Sequence, residues 1–219
     1  MLIKTLLKEV AKKTELTPMG LILRKLRKRG VDTRELRALE IFANSGDSHV
    51  KDYAPRVSAL EMWEIDFRYE PILKQNFPQA RVKIVDSYEE IRKTPNKYEL
   101  IVIDNGTSIY GGRCEHFDLF PDVFRVASDS SVLILNVIPE VNDAALKEYP
   151  YLFHEAHLAE RQKFYQSSHP AKVSIDEMLI VYMELIEKSG FILQWHFVQK
   201  RSFVYYLVLK ITRRMHISR

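Results

Sequence analysis

Acids stand at the ends of three successive apolar runs: Glu64 and Asp66 close the run that begins at Ala59, Asp86 closes Val82 to Val85, and Asp104 closes Leu100 to Ile103. A helix-like stretch to Phe77 separates the first two runs, so residues 59–87 read as a βαβ unit with carboxylates at both strand ends. In an open α/β sheet, ligands sit outside the carboxyl ends of the parallel strands, and a carboxylate there can accept both hydroxyls of a ribose. The arrangement therefore reads as a nucleoside site. One such acid is an ordinary loop residue or helix cap; their recurrence at consecutive strand ends is what points to a ligand.

Other side chains offer weaker chemistry. His116 and His157 can exchange a proton near neutral pH, and His116 is taken as an acid/base candidate beside Asp104. His154-Glu155-Ala156-His157 lacks the spacing that stacks two imidazoles one helical turn apart, so no metal site is expected. No sequence feature pairs Cys114 with a base.

The elements that must position these groups alternate. Strands are expected over 37–43, 58–65, 81–87, 98–104 and 131–138, with helices over 48–53, 69–76, from Ser87 to Pro95, and over 118–127. The run 98–104 has a continuous apolar centre, as in a strand buried on both faces. Ser87-Tyr88-Glu89-Glu90 reads as a capping box. An amphipathic helix over 175–189 ends at Gly190, and strands over 191–198 and 203–209 follow. The four-residue connection Gln199 to Ser202 permits only an antiparallel hairpin. Residues 139–174 leave the fifth strand above the presumed site and are expected to set substrate choice.

With 219 residues, 46% apolar and 28% charged, the chain suits one globular domain. No apolar run approaches the roughly 20 residues that cross a bilayer, and no signal-peptide core is present. One cysteine fits a reducing compartment, so a cytoplasmic location is expected. The formal charge of +4 is concentrated in residues 1–30, where nine basic side chains stand against Glu9 and Glu15. Residues 1–32 are accordingly set apart as a basic helical segment, with leucines at helical spacing, before a domain over 33–219. The segment could pack on the domain, join two subunits into a homo-oligomer, or lie on a membrane surface or nucleic acid.

Five βα units followed by a helix and a terminal hairpin resemble the class I S-adenosylmethionine-dependent methyltransferases over roughly residues 36–211. The resemblance implies a Rossmann-like, mostly parallel seven-stranded sheet with a C-terminal antiparallel hairpin, and S-adenosylmethionine as cofactor. In that family the first strand ends in an acid and a glycine-rich turn. Here Glu40-Ile41-Phe42-Ala43-Asn44-Ser45-Gly46 keeps the acid and the last glycine, while Phe42 and Asn44 hold the earlier glycine positions. By the same resemblance Glu64, with Asp66 behind it, would bind the ribose, and Asp86 with Ser87 would meet the adenine. A closer resemblance is to the spermidine-synthase-like branch, carried by Trp63-Glu64-Ile65-Asp66, Asn76-Phe77-Pro78 and Arg81-Val82-Lys83-Ile84. It gives Asp104 the place of a catalytic aspartate, but that branch's Asp-Pro pair is replaced by Gly106 to Gly112. The expected activity is methyl transfer to a small-molecule acceptor, with Asp104 orienting or deprotonating the nucleophile. Aminopropyl transfer and a noncatalytic scaffold, favoured if Phe42 closes the pocket, remain as alternatives.

Overall fold

A computed structural model describes residues 17–46, 49–105, 109–110, 113–140 and 143–214. Its centre is a seven-stranded sheet of β1 (Arg37–Ile41), β2 (Ala59–Glu64), β3 (Arg81–Ile84), β4 (Tyr98–Ile103), β5 (Ala127–Val137), β6 (Phe191–Lys200) and β7 (Tyr205–Arg213). Their order across the sheet is β3-β2-β1-β4-β5-β7-β6. The first five strands are parallel and β7 runs antiparallel to both β5 and β6. The expected mostly parallel sheet with a terminal antiparallel hairpin is thus observed. A separate two-residue ribbon pairs Ile109–Tyr110 with Arg113–Cys114.

Strand alternation divides the core into two layers. Leu39, Ile101, Ile103, Leu133 and Leu135 face helices α4 (Ser87–Lys93), α5 (Phe120–Val126) and α8 (Ile175–Lys188). Ala38, Leu100, Val102, Val132 and Ile134 face α1 (Pro18–Lys28), α2 (Val50–Tyr53) and α3 (Glu70–Asn76). Because β4 is covered on both sides, its run Leu100 to Ile103 is buried without a break.

Helix α1 belongs to this second layer. Thr17 caps it by accepting from Gly20 N at 3.0 Å, and Pro18 occupies the first turn. Met19, Ile22, Leu23 and Leu26 are buried against the sheet, while Lys25 reaches the Val198 carbonyl and the Gln199 side chain. No separate core lies N-terminal to residue 32 among the described residues, so a division there cuts through one packed layer. Residues 1–16 lie outside the described residues.

Two local expectations change. Helix α4 is capped not by Ser87 but by Asp86, whose Oδ1 accepts from Tyr88 N at 2.8 Å. The fifth strand starts at Ala127 rather than 131, continuing directly from α5 through a register irregularity between Tyr98 and Leu100. Residues 139–174 contain α6 (Asp143–Glu148), a 3-10 turn at Pro150–Phe153 and α7 (Glu155–Tyr165).

Candidate active site

Sheet order reverses between β1 and β4, and a crevice must open there at the carboxyl ends of the strands. A cavity of about 690 Å³ lies at that point. Its floor is the turn after β1, where Phe42, Asn44 and Gly46 have φ of 67°, 50° and 69°. All three glycine positions of the family's turn are therefore left-handed, although two carry side chains. Asn tolerates this conformation; a phenylalanine in it is strained. Gly46 is required for a second reason, since a Cβ there would lie 2.4 Å from Phe77 Cε2.

Glu64, at the end of β2, holds this turn in place. Its Oε2 accepts from Asn44 N at 2.6 Å and its Oε1 from Asp66 N at 2.8 Å. Each oxygen keeps a further lone pair, and Glu64 lines the cavity. Asp66 caps the next 3-10 turn and pairs with Arg68, whose hydrogen bonds hold its carboxyl below the usual range. Asp86, Ser87 and Tyr88 border the cavity beyond Glu64, and the Phe42 ring packs 5.8 Å from that of Tyr88. Phe42 is thus half-buried, touching core and cavity together.

At the other end lies a charge cluster organised by His49. Its Nε2 sits 3.0 Å from Glu40 Oε1 and its Nδ1 2.8 Å from Asp104 Oδ2. Both ring nitrogens can donate only as imidazolium. Burial opposes that charge, but Glu40 and the hydrogen bonds to both carboxylates prevail and lift His49 to about 10. Tyr53 donates to the other Glu40 oxygen. Burial raises the Glu40 carboxyl, with His49 and Tyr53 pulling it back.

Asp104 is saturated with donors. Besides His49, its Oδ2 receives Arg201 at 2.7 Å and Tyr206 OH at 2.9 Å, and Asn136 donates to Oδ1. Burial would raise its pKa, yet the His49 hydrogen bond and charge, with Arg201 and Tyr206, hold it at about 2. Such a carboxylate is a poor proton acceptor at neutral pH. Asn136 also accepts from Asn105 N at 3.0 Å, and Asn105 reaches the Glu115 carbonyl at 2.8 Å.

The structure brings Asn44, Gly46, Glu64, Asp66, Asp86, Ser87 and Asp104 to one cavity, with Glu40 buried behind it. It does not bring His116 there. That ring is fully buried among aromatic side chains, stacked on Tyr182 at 5.8 Å with Nε2 2.6 Å from the Tyr182 hydroxyl. Burial, eased by Glu115, lowers it to about 4, so His116 is a neutral core residue. His157 is likewise buried, directed at Glu115 Oε1 at 3.0 Å. The segment Gly106 to Gly112 falls largely outside the described residues.

His49, Asn136, Arg201 and Tyr206 were not expected. Each carried a faint signal: His49 sits three residues past the turn's last glycine, Asn136 interrupts an apolar strand, and Arg201 and Tyr206 flank the hairpin turn. None announces that these strands converge on Asp104.

Solved structures place this architecture. The chain aligns over 89% of its length with magnesium protoporphyrin IX methyltransferase (ChlM) from Synechocystis PCC 6803, solved with bound SAH, at TM-score 0.56, 13% identity and 81% of that chain. The fold is the Rossmann-like methyltransferase fold. M. jannaschii TYW2 in complex with AdoMet aligns at TM-score 0.51 and 15% identity over 93% of this chain and 80% of that one. For TrmN from Thermus thermophilus the values are 0.51 and 14% over 89% of this chain, which spans only 48% of TrmN. No family model matches the sequence, and no curated protein matches it.

Proposed function

We propose that the protein binds S-adenosylmethionine and transfers its methyl group to a small-molecule acceptor. The observation that carries this reading is the turn after β1, which keeps all three left-handed positions and is clamped through Asn44 N to Glu64. A backbone so strained at Phe42 is retained only where the surroundings over-determine it. The solved neighbours ChlM and TYW2 carry SAH and AdoMet on the same fold.

The residues present fit such a group. The free lone pairs of Glu64 suit two ribose hydroxyls, and Phe42, Tyr88 and Ser87 with Asp86 form a half-apolar, half-polar border suited to adenine. The bound cofactor would supply an electrophilic methyl on a sulfonium. The chain's own contribution is positioning: His49 fixes Asp104, which in turn fixes Arg201 and Tyr206 at the acceptor end. Asp104 thus orients and does not deprotonate. The cations of His49 and Arg201 beside Asp104 oppose a polyamine, which disfavours aminopropyl transfer.

Calorimetry on the full chain with S-adenosylmethionine, S-adenosylhomocysteine and decarboxylated S-adenosylmethionine tests the reading. Binding of the first two is expected, with the decarboxylated form weaker. A folded chain that binds none of them would refute it.

A further inference from the structure

Arg201 starts the turn between β6 and β7 and lines the cavity next to Asp104. One nitrogen, NH1, makes its hydrogen bonds, to Asp104 Oδ2 at 2.7 Å and the Tyr206 hydroxyl at 3.1 Å. Nε and NH2 make no hydrogen bond among the described residues, the guanidinium lies 5.7 Å from the Tyr206 ring, and the side chain is 38% exposed. A guanidinium pinned at one corner keeps a fixed fork of donors, the geometry that matches an anionic oxygen pair. The neighbouring wall is apolar: Phe203 and Val204 follow in the turn, and the Phe203 ring packs 5.7 Å from that of Tyr149, tilted to it by 49°.

We infer that the acceptor is a carboxylate attached to an apolar body, with its anionic group on the free edge of Arg201 and its body against Tyr149 and Phe203. The inference rests on the methyl-transfer reading and names the acceptor class. A carboxylate also suits the acid–base character of the site. Asp104 already receives four donors, so an acceptor that must first lose a proton finds no willing base in it. Transfer to a carboxylate forms one oxygen–carbon bond as the sulfonium carbon–sulfur bond breaks, its electron pair staying on sulfur, and no proton moves. The two opposite charges cancel, a change favoured in a cavity poorer in water than bulk solvent.

The test compares benzoate with benzamide, which has nearly the same shape without the charge. Each is titrated into the full chain saturated with S-adenosylhomocysteine and followed by NMR, including the Arg201 Nε–H signal. Benzoate should bind about tenfold more tightly than benzamide, as expected for hydrogen bonds to a charged group, and should shift that signal. Arg201→Gln, confirmed folded by its melt, should erase the preference, and Arg201→Lys should restore part of it. Equal binding of the two probes to the wild-type chain, or a preference that survives in folded Arg201→Gln, overturns the inference; if Arg201→Gln does not fold, the wild-type comparison and the Nε–H shift decide. Failure of S-adenosylhomocysteine to bind would instead remove the methyl-transfer reading, and the benzoate preference, measured without it, would still report on Arg201.

Discussion

The imidazole of His49 lies 2.8 Å from the Asp104 carboxylate, and this contact makes an anchor of the acid at the end of β4. Because the folded state lifts His49 to about 10 from an ordinary value near 6.5, its stabilisation is complete below about 6.5 and is lost as pH rises through 10. Unfolding free energy should therefore decline from pH 7 to 10 with a slope of up to about 1.4 kcal/mol per pH unit. Urea titrations at pH 6.5, 8 and 9.5 measure it. His49→Gln should be less stable at pH 6.5 and should flatten that slope; an unchanged slope would mean that His49 is not held as a cation.

Phe42 sets two opposing effects against each other. Its ring contacts Tyr88, but its backbone, at φ 67°, has a conformation that L residues adopt at a cost of about 1–3 kcal/mol. Phe42→Ala loses the ring and keeps the strain; Phe42→Gly loses the ring and relieves it. Glycine should then be the more stable replacement by about 1 kcal/mol, the reverse of the order in a helix. Chemical denaturation of the two variants decides the sign. S-adenosylhomocysteine affinity in both reports whether the ring narrows the site: an increase means intrusion, no change means packing.

Glu64 joins the turn to the expected ribose contact, so it should fail in two ways at once. In Glu64→Gln one oxygen remains to accept from Asn44 N or Asp66 N, and the new amide donor faces the other N–H. A stability loss of about 1–3 kcal/mol is expected, together with weaker nucleoside binding. A variant with wild-type melting and wild-type affinity would remove Glu64 from both roles.

The parts of this site readable from sequence are those set by position along one strand. Glu64, Asp86 and Asp104 mark strand ends, and parallel pairing brings strand ends together whatever lies between. The four partners of Asp104 come from three separate segments, since His49 follows β1, Asn136 is the penultimate residue of β5, and Arg201 and Tyr206 come from the hairpin. Their convergence is a property of sheet order and antiparallel register, Asn136 pairing with Tyr206, which spacing alone does not fix. His116 misled for the converse reason: a polar type in a loop-like stretch carries no mark of the aromatic cluster that encloses it.

Helix α1 is basic in its last turn, yet its contribution is apolar. Leu26 is fully buried in the layer that contains Val50, Tyr53 and Met62. Leu26→Ala should cost about 2–5 kcal/mol, and a chain starting at Val31 should lose cooperative unfolding altogether. Melting curves in low and high salt provide the check, because an apolar contact persists where charge attraction is screened. A stable, cooperatively folded chain from Val31 would show that α1 is dispensable to the core.

Glu115 and Arg161 form a buried ion pair at 2.6 Å that joins the loop after β4 to α7. Glu115 Oε1 receives both Arg161 and His157, whereas Oε2 has no hydrogen-bond partner among the described residues. Arg161 also donates to the carbonyls of Ile138 and Pro170, so one side chain fastens the end of β5, α7 and the segment before α8. The pair bears on the site because the Glu115 carbonyl holds Asn105, which lines the cavity. Removing one partner leaves an uncompensated buried charge, and Arg161→Met should cost about 3–5 kcal/mol. Replacing both partners by apolar side chains removes the stranded charge as well, so Glu115→Leu with Arg161→Met should be more stable than Arg161→Met alone. Denaturation of the single and double variants forms a double-mutant cycle whose coupling term isolates the pair. Additive losses would show that Arg161 acts through its carbonyl contacts and not through Glu115.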